Sequence, residues 1–315
     1  MQKRALQRRA LAFWRDRVRF VALFLASSVV VAAVVVFVVY RRQIVSYLTH
    51  WRGGPDTTWE YAEYDPRPLV HLAVAGDSGD SGRSLDATAA SIAAIGSGDP
   101  YDALLLLGDL VYPSGDPDRL DATVFEPFGA VLDEGTDLLA ILGNHDIKSG
   151  RDDEMLEMLG MPGRWWSRTY GPVLVVGLDS TRPDDPDQLA FLESTLSASD
   201  ATWKVVAMHH APYSAGYQGS TMAVRAAFEP VLARHGVQLV LSGHDHDYQR
   251  SVEIGGITYV VSGAASGTRR TGADAFTAVA FAFRHYLDVA VFSDHLVIRA
   301  VGADGRVADE ATITP

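Results

Sequence analysis

The 315-residue sequence contains no cysteine. This absence excludes disulfide scaffolds, cysteine-ligated zinc, iron–sulfur clusters and cysteine nucleophiles together. Wholesale disorder is also excluded, because hydrophobic residues make up 48% of the chain and charged residues only 21%. A chain of this length is sufficient for one large domain or two small domains, each with a buried core.

Basic residues are scarce beyond the first 54 positions. That N-terminal stretch holds ten Lys and Arg residues and a single acid, Asp16, although the whole chain has a net charge of −12. The remainder of the chain is therefore strongly acidic. Because nucleic-acid binding requires a basic surface, no nucleic-acid partner is expected.

Residues 20–40 contain no charged side chain. A helix of this length rises ~1.5 Å per residue and spans ~30 Å, the thickness of the hydrocarbon core of a membrane. Seven of the ten N-terminal bases precede this run and three follow it. The positive-inside rule then predicts a cytoplasmic N-terminus and an extracytoplasmic body. The run ends in Val-Val-Tyr-Arg-Arg, without a small-residue cleavage site, which predicts an uncleaved membrane anchor.

Four segments follow from these patterns. We predict a basic cytoplasmic tail at 1–19, a single transmembrane anchor at 20–40, a juxtamembrane segment and linker at 41–65, and a globular domain at 66–315. The linker contains Gly53-Gly54-Pro55, which breaks regular structure.

The globular part alternates short apolar runs with segments of helical periodicity. The apolar runs are typical of strands buried on both faces, and they lie at 70–75, 103–107, 138–142, 204–208 and 237–241. This alternation predicts an α/β layered domain. The segments 257–262, 278–284, 286–292 and 295–301 are rich in β-forming residues, which predicts antiparallel hairpins that complete a sheet.

Polar residues suited to metal binding follow each of the five predicted strands. In chain order these strand ends are Gly76-Asp77, Gly108-Asp109 with Tyr112, Gly143-Asn144, His209 and His244-Asp245-His246. Because ligands bind at the C-terminal edge of strands in open α/β sheets, we expect these side chains to meet. Carboxylate, imidazole, amide and phenol groups suit iron, manganese or zinc. Their number exceeds the needs of one ion, which favours two metals that share a carboxylate.

The five blocks at 76–79, 108–112, 143–146, 206–209 and 243–246 resemble those of the calcineurin-like metallophosphoesterases. Within that superfamily they resemble the purple acid phosphatases of the tartrate-resistant type. Tyr112 and Gly79 carry this finer resemblance, because a phenol is gained in the second block where the first block lacks the usual histidine. The resemblance implies a four-layer αββα sandwich over 66–315 and the hydrolysis of phosphomonoesters.

The resemblance also implies a dinuclear centre that contains Fe(III) and a second ion, Fe(II), Zn(II) or Mn(II). The ferric ion would be held by Asp77, Asp109, Tyr112 and His246. The divalent ion would be held by Asp109, Asn144, His209 and His244, so that Asp109 bridges the two. A free tyrosine titrates near ~10, so a phenolate ligand requires a strong Lewis acid such as ferric iron.

His145 is implied to contact phosphate and to protonate the leaving oxygen. Asp146 is a candidate catalytic residue that orients His145, and a helix cap is its alternative role. Asn144 and His210 are candidate substrate contacts. These phosphatases usually have a second substrate-side histidine about ten residues past the fourth block, but residues 215–219 contain none. The candidate replacements are Tyr213, Tyr217 and Gln218.

Two other functions remain open. The same ions would serve a phosphodiesterase or a nucleotide-cleaving relative, and a catalytically inactive ectodomain would act as a binding module. The complete set of seven ligand residues together with His145 counts against the inactive ectodomain, because an inactive copy need not retain all eight.

Overall fold

The computed structural model of the chain describes residues 14, 21, 24–36, 38, 53–133 and 135–315. Contacts divide the chain into two units, 1–48 and 49–315. In the first unit, residues 24–36 are helical, and the Ser28 hydroxyl donates to the Phe24 carbonyl. The structure's described part contains no helix with the length and apolar character needed to cross a membrane. The predicted tail apart from residue 14, residues 20, 22, 23, 37, 39 and 40 of the predicted anchor, and residues 41–52 lie outside the described residues.

The second unit contains two seven-stranded mixed sheets. The strands of the first sheet are β1 (Trp59–Glu60), β2 (Val70–Ala75), β3 (Ala103–Leu106), β4 (Asp137–Ala140), β12 (His285–Val291), β13 (Leu296–Gly302) and β14 (Arg306–Ile313). Their spatial order is β1-β14-β13-β12-β2-β3-β4. Strands β2, β3 and β4 are parallel, and β12 lies antiparallel beside β2.

The strands of the second sheet are β5 (Trp166–Tyr170), β6 (Val173–Leu178), β7 (Trp203–Met208), β8 (Leu239–Ser242), β9 (Tyr248–Ser251), β10 (Thr258–Ser262) and β11 (Thr277–Phe281). Their spatial order is β11-β9-β10-β8-β7-β6-β5. Strands β10, β8, β7 and β6 are adjacent in this order and run parallel to one another. The strands that flank them, β9 and β5, are antiparallel to β10 and β6. The central parallel strands of both sheets are buried, as continuous apolar runs require.

Five α-helices connect these strands in the second unit's described residues. They are α1 (Arg83–Gly96), α2 (Glu126–Leu132), α3 (Asp152–Met158), α4 (Pro186–Ser197) and α5 (Met222–Arg234). A 3₁₀ turn at Pro117–Arg119 and a π-helical turn at Asp121–Phe125 precede α2. Helix α4 begins where a helix start is expected, because the Asp185 carboxylate accepts from two backbone amides and Pro186 occupies the first turn.

Alternate residues of the second sheet belong to two different cores. One set packs with the first sheet and with α1 and α2, and includes Val173, Val175, Trp203 and Val205. The other set packs with α4 and α5, and includes Leu174, Val176, Val206 and Met208. This arrangement of helices around two mixed sheets confirms the predicted α/β class.

Two buried tryptophans connect the sheets. The indole nitrogen of Trp203 donates to the Phe292 carbonyl (3.1 Å), and that of Trp166 donates to the Ala140 carbonyl (2.8 Å). Each buried indole N–H therefore has a hydrogen-bond acceptor, which avoids the free-energy cost of burying an unpaired donor.

Residues that precede the predicted boundary at position 66 also contact the first sheet. Strand β1 pairs with β14, and the hydroxyls of Tyr61 and Tyr64 donate to the Asp288 carboxylate at 3.2 and 2.8 Å. The same carboxylate lies 2.6 Å from Nε2 of His71 and accepts from the Tyr101 hydroxyl at 3.1 Å. Part of the predicted linker is thus held to the core through one buried carboxylate.

Asp288→Ala is expected to lower the free energy of unfolding by about 3–5 kcal/mol, because it leaves His71 and the tyrosine hydroxyls without their buried acceptor. Urea denaturation of the full chain measures this change. Asp294→Ala is the matched control, since the Asp294 side chain is exposed and pairs with the neighbouring His295. Equal unfolding midpoints for the two variants would contradict the role assigned to Asp288.

Candidate metal centre

The C-terminal ends of five parallel strands bring the predicted ligand residues together. Strands β2, β3 and β4 of the first sheet lead into Asp77, Asp109 and Asn144. Strands β7 and β8 of the second sheet lead into His209 and into the turn that contains His244 and His246. The sequence predicted the five strand ends but not their division between two sheets.

One group of donor atoms surrounds the hydroxyl of Tyr112. This oxygen lies 3.0 Å from Oδ1 of Asp77, 3.2 Å from Oδ2 of Asp109 and 3.0 Å from Nε2 of His246. Nε2 of His246 is also 3.3 Å from Oδ1 of Asp77. A phenol has a single proton and cannot donate to both carboxylate oxygens. The surplus of converging lone pairs fits a bound cation.

A second group of donor atoms surrounds His209. Its Nε2 lies 3.2 Å from Oδ1 of Asn144 and 3.4 Å from Oδ1 of Asp109. Its Nδ1 donates to the Leu107 carbonyl at 2.8 Å, which fixes the ring with Nε2 toward the site. The ring of His244 lies 5.1 Å from that of His209, centroid to centroid. These donors also fit a cation, because imidazole, amide and carboxylate are all common metal ligands.

Asp109 belongs to both groups, because its two oxygens face different partners. Oδ2 faces Tyr112, whereas Oδ1 faces His209 and also accepts the His145 amide at 2.8 Å. The two oxygens of this carboxylate thus connect the two donor groups. His210 lies beside the second group, with its ring 4.4 Å from that of His244 and its Nδ1 2.9 Å from the Ser180 hydroxyl.

The backbone at three of these positions adopts the left-handed conformation. The φ angles of Asp77, Asp109 and His244 are 58°, 52° and 70°. Such a conformation costs a side-chain-bearing residue about 1–2 kcal/mol and is concentrated at functional sites. Gly243 permits the close approach, since a Cβ there would lie 2.5 Å from Oδ2 of Asp77. A Cβ at Gly143 would overlap Asp109 in the same way.

Burial and neighbouring charges shift the pKa values of several of these groups. Burial acts to raise the pKa of Asp109, but the nearby His209 outweighs it and the pKa falls below its usual range. Burial acts to lower the pKa of His209, but Asp109 outweighs it and raises that pKa to about 10. Burial, reinforced by Asp77 and Asp109, raises the pKa of Tyr112. A phenolate at this position therefore requires a cation that offsets both carboxylates.

Two other imidazoles, those of His244 in the second group and of His210 beside it, are held neutral. Burial, with the positive charge of His209 adding to it, lowers the pKa of His244 to about 2 and that of His210 to about 3. Neutral imidazole is the form that binds metals.

His145 lies at the open side of the first group. Its Nδ1 donates to the Pro113 carbonyl at 2.6 Å, and its ring stands edge-to-face against Tyr112 with 4.7 Å between the ring centroids. The sequence analysis did not identify a third neighbour, Lys148, whose Nζ lies 2.9 Å from Nδ1 and 3.1 Å from Nε2 of His145. Its position four residues past Asn144, within the same turn, was the available signal.

The structure corrects the role predicted for Asp146. Its buried carboxylate accepts from the backbone amides of Leu110 (2.8 Å), Val111 (3.1 Å) and Gly143 (2.8 Å). These three amides, together with Pro113 and Lys148 at the imidazole of His145, leave Asp146 no part in orienting that ring. Asp146 instead ties the loop after β3 to the loop after β4.

Another buried carboxylate, that of Asp245, holds the loop that lacks a histidine. It accepts from the amides of Gln218 (2.7 Å) and Gly219 (3.2 Å) and from the Ser214 hydroxyl (2.5 Å). Among the replacements considered from sequence, Tyr213 donates instead to Glu229 on α5. Tyr217 is partly exposed, and the guanidinium of Arg269 lies 5.7 Å from its ring centroid.

Comparison with known proteins agrees with this geometry. A model of the family described as calcineurin-like phosphoesterase matches residues 70–248, more than half of the chain. The chain therefore belongs to the calcineurin-like phosphoesterases.

Its relatives include purple acid phosphatases. Purple acid phosphatase 17 of Arabidopsis thaliana is 42% identical over 76 residues, which cover 24% of this chain and 22% of that protein. Human tartrate-resistant acid phosphatase type 5 is 27% identical over 200 residues, which cover 52% of this chain and 61% of that protein. The matches thus span less than two thirds of these relatives.

Solved structures share the fold. A purple acid phosphatase, PPD1, from yellow lupin seeds superposes with a TM-score of 0.68 at 18% identity, covering 78% of this chain and 53% of that one. GAP50, described as the anchor in the inner membrane complex of Plasmodium, superposes with a TM-score of 0.69 at 16% identity, covering 78% and 88%.

Asp146→Asn is expected to lower the free energy of unfolding of the full chain by about 1–3 kcal/mol. The NH₂ group of asparagine cannot accept a hydrogen bond, so at least one of the three backbone amides would lose its acceptor. Urea denaturation gives the stability, and metal analysis after dialysis reports whether the two loops still hold their positions. Asp184→Asn, on an exposed turn, is the control. Unchanged stability of Asp146→Asn would show that the two loops do not depend on this carboxylate.

Proposed function

We propose that the protein hydrolyses phosphomonoesters with a dinuclear metal centre. The observation that carries this proposal is the division of the Asp109 carboxylate between two donor groups. One cation would be held by Asp77, Asp109, Tyr112 and His246. The other would be held by Asp109, Asn144, His209 and His244. Two cations so placed supply an activated water and neutralise phosphoryl charge.

The first cation in this proposal is Fe(III), and the second is Fe(II), Zn(II) or Mn(II). Tyr112 supports the ferric assignment, because both neighbouring carboxylates favour its neutral form and only a strong Lewis acid reverses that preference. The second group contains the neutral amide of Asn144 and the imidazoles of His209 and His244, and this less anionic set of ligands suits a divalent ion.

His145 is the proposed proton donor to the leaving oxygen. Its Nδ1 is committed to the Pro113 carbonyl, so Nε2 is the atom that exchanges a proton with substrate. His145 is partly exposed, which gives a substrate access to this atom. His210 and Asn144 are proposed to contact the phosphate group from the side of His244.

The decisive experiment combines hydrolysis, metal content and colour. The full chain purified with iron is expected to cleave an aryl phosphate faster than the corresponding diester. It is also expected to be violet, because a phenolate donates charge to ferric iron. Tyr112→Phe should abolish the colour and weaken iron retention while the fold survives. Tyr170→Phe is the control, since this hydroxyl, on edge strand β5 of the second sheet, donates to Asp137 on edge strand β4 of the first sheet.

Each alternative has its own outcome in this experiment. Preference for the diester would favour the phosphodiesterase, and binding of metal without hydrolysis of either ester would favour the inactive binding module. A colourless protein that is active with manganese or zinc and indifferent to Tyr112→Phe would overturn the purple-phosphatase assignment.

We also propose that residues 20–40 form an uncleaved membrane anchor, with residues 1–19 in the cytoplasm and the catalytic domain outside. The support is the sequence itself: 21 uncharged residues flanked by the basic residues of the N-terminal stretch.

Reporter fusions test this topology. A reporter that is active only after export, fused after Pro315, is expected to be active, and a reporter that works only in the cytoplasm is expected to be silent. Deletion of residues 20–40 provides the control, because it should reverse both results. Activity of the cytoplasmic reporter on the intact chain would reject the proposed orientation.

A further inference from the structure

Lys148 occupies the turn that follows β4, three residues beyond His145. Its backbone amide donates to the His145 carbonyl at 3.2 Å, which closes the turn. The side chain then returns to the imidazole of His145, where Nζ lies 2.9 Å from Nδ1 and 3.1 Å from Nε2. The turn thus presents a cation at the ring that stands beside the metal centre.

The other surroundings of the His145 ring are already filled. Nδ1 bonds the Pro113 carbonyl, and the Tyr112 ring stands against the imidazole on the side of the first donor group. Lys148 is exposed, so its ammonium borders the solvent-accessible approach to Nε2. An incoming substrate that reaches Nε2 of His145 therefore meets Nζ of Lys148.

No carboxylate neutralises this ammonium within residues 53–133 and 135–315. The nearby Arg151 differs, because it forms ion pairs with Asp116, Asp118 and Glu154. A cation without a carboxylate partner beside the centre stands out in a chain with a net charge of −12. A flexible ammonium on a four-carbon stem binds phosphate as a point charge and follows it over short distances.

We propose that Lys148 is a substrate-binding residue that contacts a charged phosphate oxygen beside His145. This inference rests on the proposed function and specifies its substrate class. A phosphomonoester dianion carries one more charged oxygen than a diester. Lys148 therefore favours monoesters over diesters, because an ammonium attracts a dianion more strongly than a monoanion.

Three variants of the full chain in detergent test this inference. Lys148→Met removes the charge, Lys148→Arg retains it, and Arg168→Gln removes an exposed charge on β5 as the control. Calorimetric titration of the metal-loaded proteins with inorganic phosphate measures binding without requiring turnover. Steady-state kinetics with an aryl phosphate and its diester then give separate KM and kcat values.

Lys148→Met is expected to weaken phosphate binding about 10-fold and to raise KM for the monoester by a similar factor, the scale of one charge-assisted hydrogen bond. KM for the diester should change by less than about 2-fold. Lys148→Arg should recover most of the phosphate affinity, and metal content should be equal in all variants.

Unchanged phosphate affinity in Lys148→Met, equal effects on monoester and diester, or an equal loss in Arg168→Gln would each overturn the inference. If the wild type binds phosphate but hydrolyses neither ester, the proposed function fails while the titration still decides the role of Lys148. If the wild type does not bind phosphate, both fail.

Discussion

The carboxylate of Asp109 has to face two donor groups at once, and the surrounding backbone is arranged around this requirement. The backbone of Asp109 takes a left-handed conformation, and the neighbouring Gly143 has no Cβ that would overlap this carboxylate. Asp146 then joins the two loops that carry Asp109 and Asn144 through three backbone amides. The geometry of the centre is therefore a property of linked loops rather than of independent side chains.

Much of the fold and most of the candidate site followed from the sequence. The five strand ends were predictable because each buried apolar run stops at a glycine or a polar ligand residue, and β2, for example, has the predicted bounds of 70–75. The sharing of these strands between two sheets was not predictable, because local patterns do not encode which strands pair. Asp146 was predicted to orient His145 because the two residues are adjacent in sequence. The side chains of consecutive residues in a turn point in different directions, so this adjacency does not bring them into contact.

Long-range partners explain the other differences. Strand β1 has two residues, too few to show a period, so the segment around Tyr61 and Tyr64 looked like linker. Its docking depends on Asp288, more than 220 positions away. Lys148 was overlooked for the opposite reason: its partner is three residues away, but nothing in the order of residues states that the side chain folds back.

The pairing of β2 with β12 has a consequence for the biosynthesis of this chain. Every proposed donor residue has been synthesised once His246 is added, but β2 still lacks the neighbour that residues 287–291 supply. A nascent chain at that stage exposes an unpaired apolar strand edge, which is prone to association with other chains. Because metal affinity requires the folded arrangement of both sheets, we expect metal to bind after the chain is complete. The C-terminal strands, which contribute no proposed metal ligand, would therefore determine when metal can first bind.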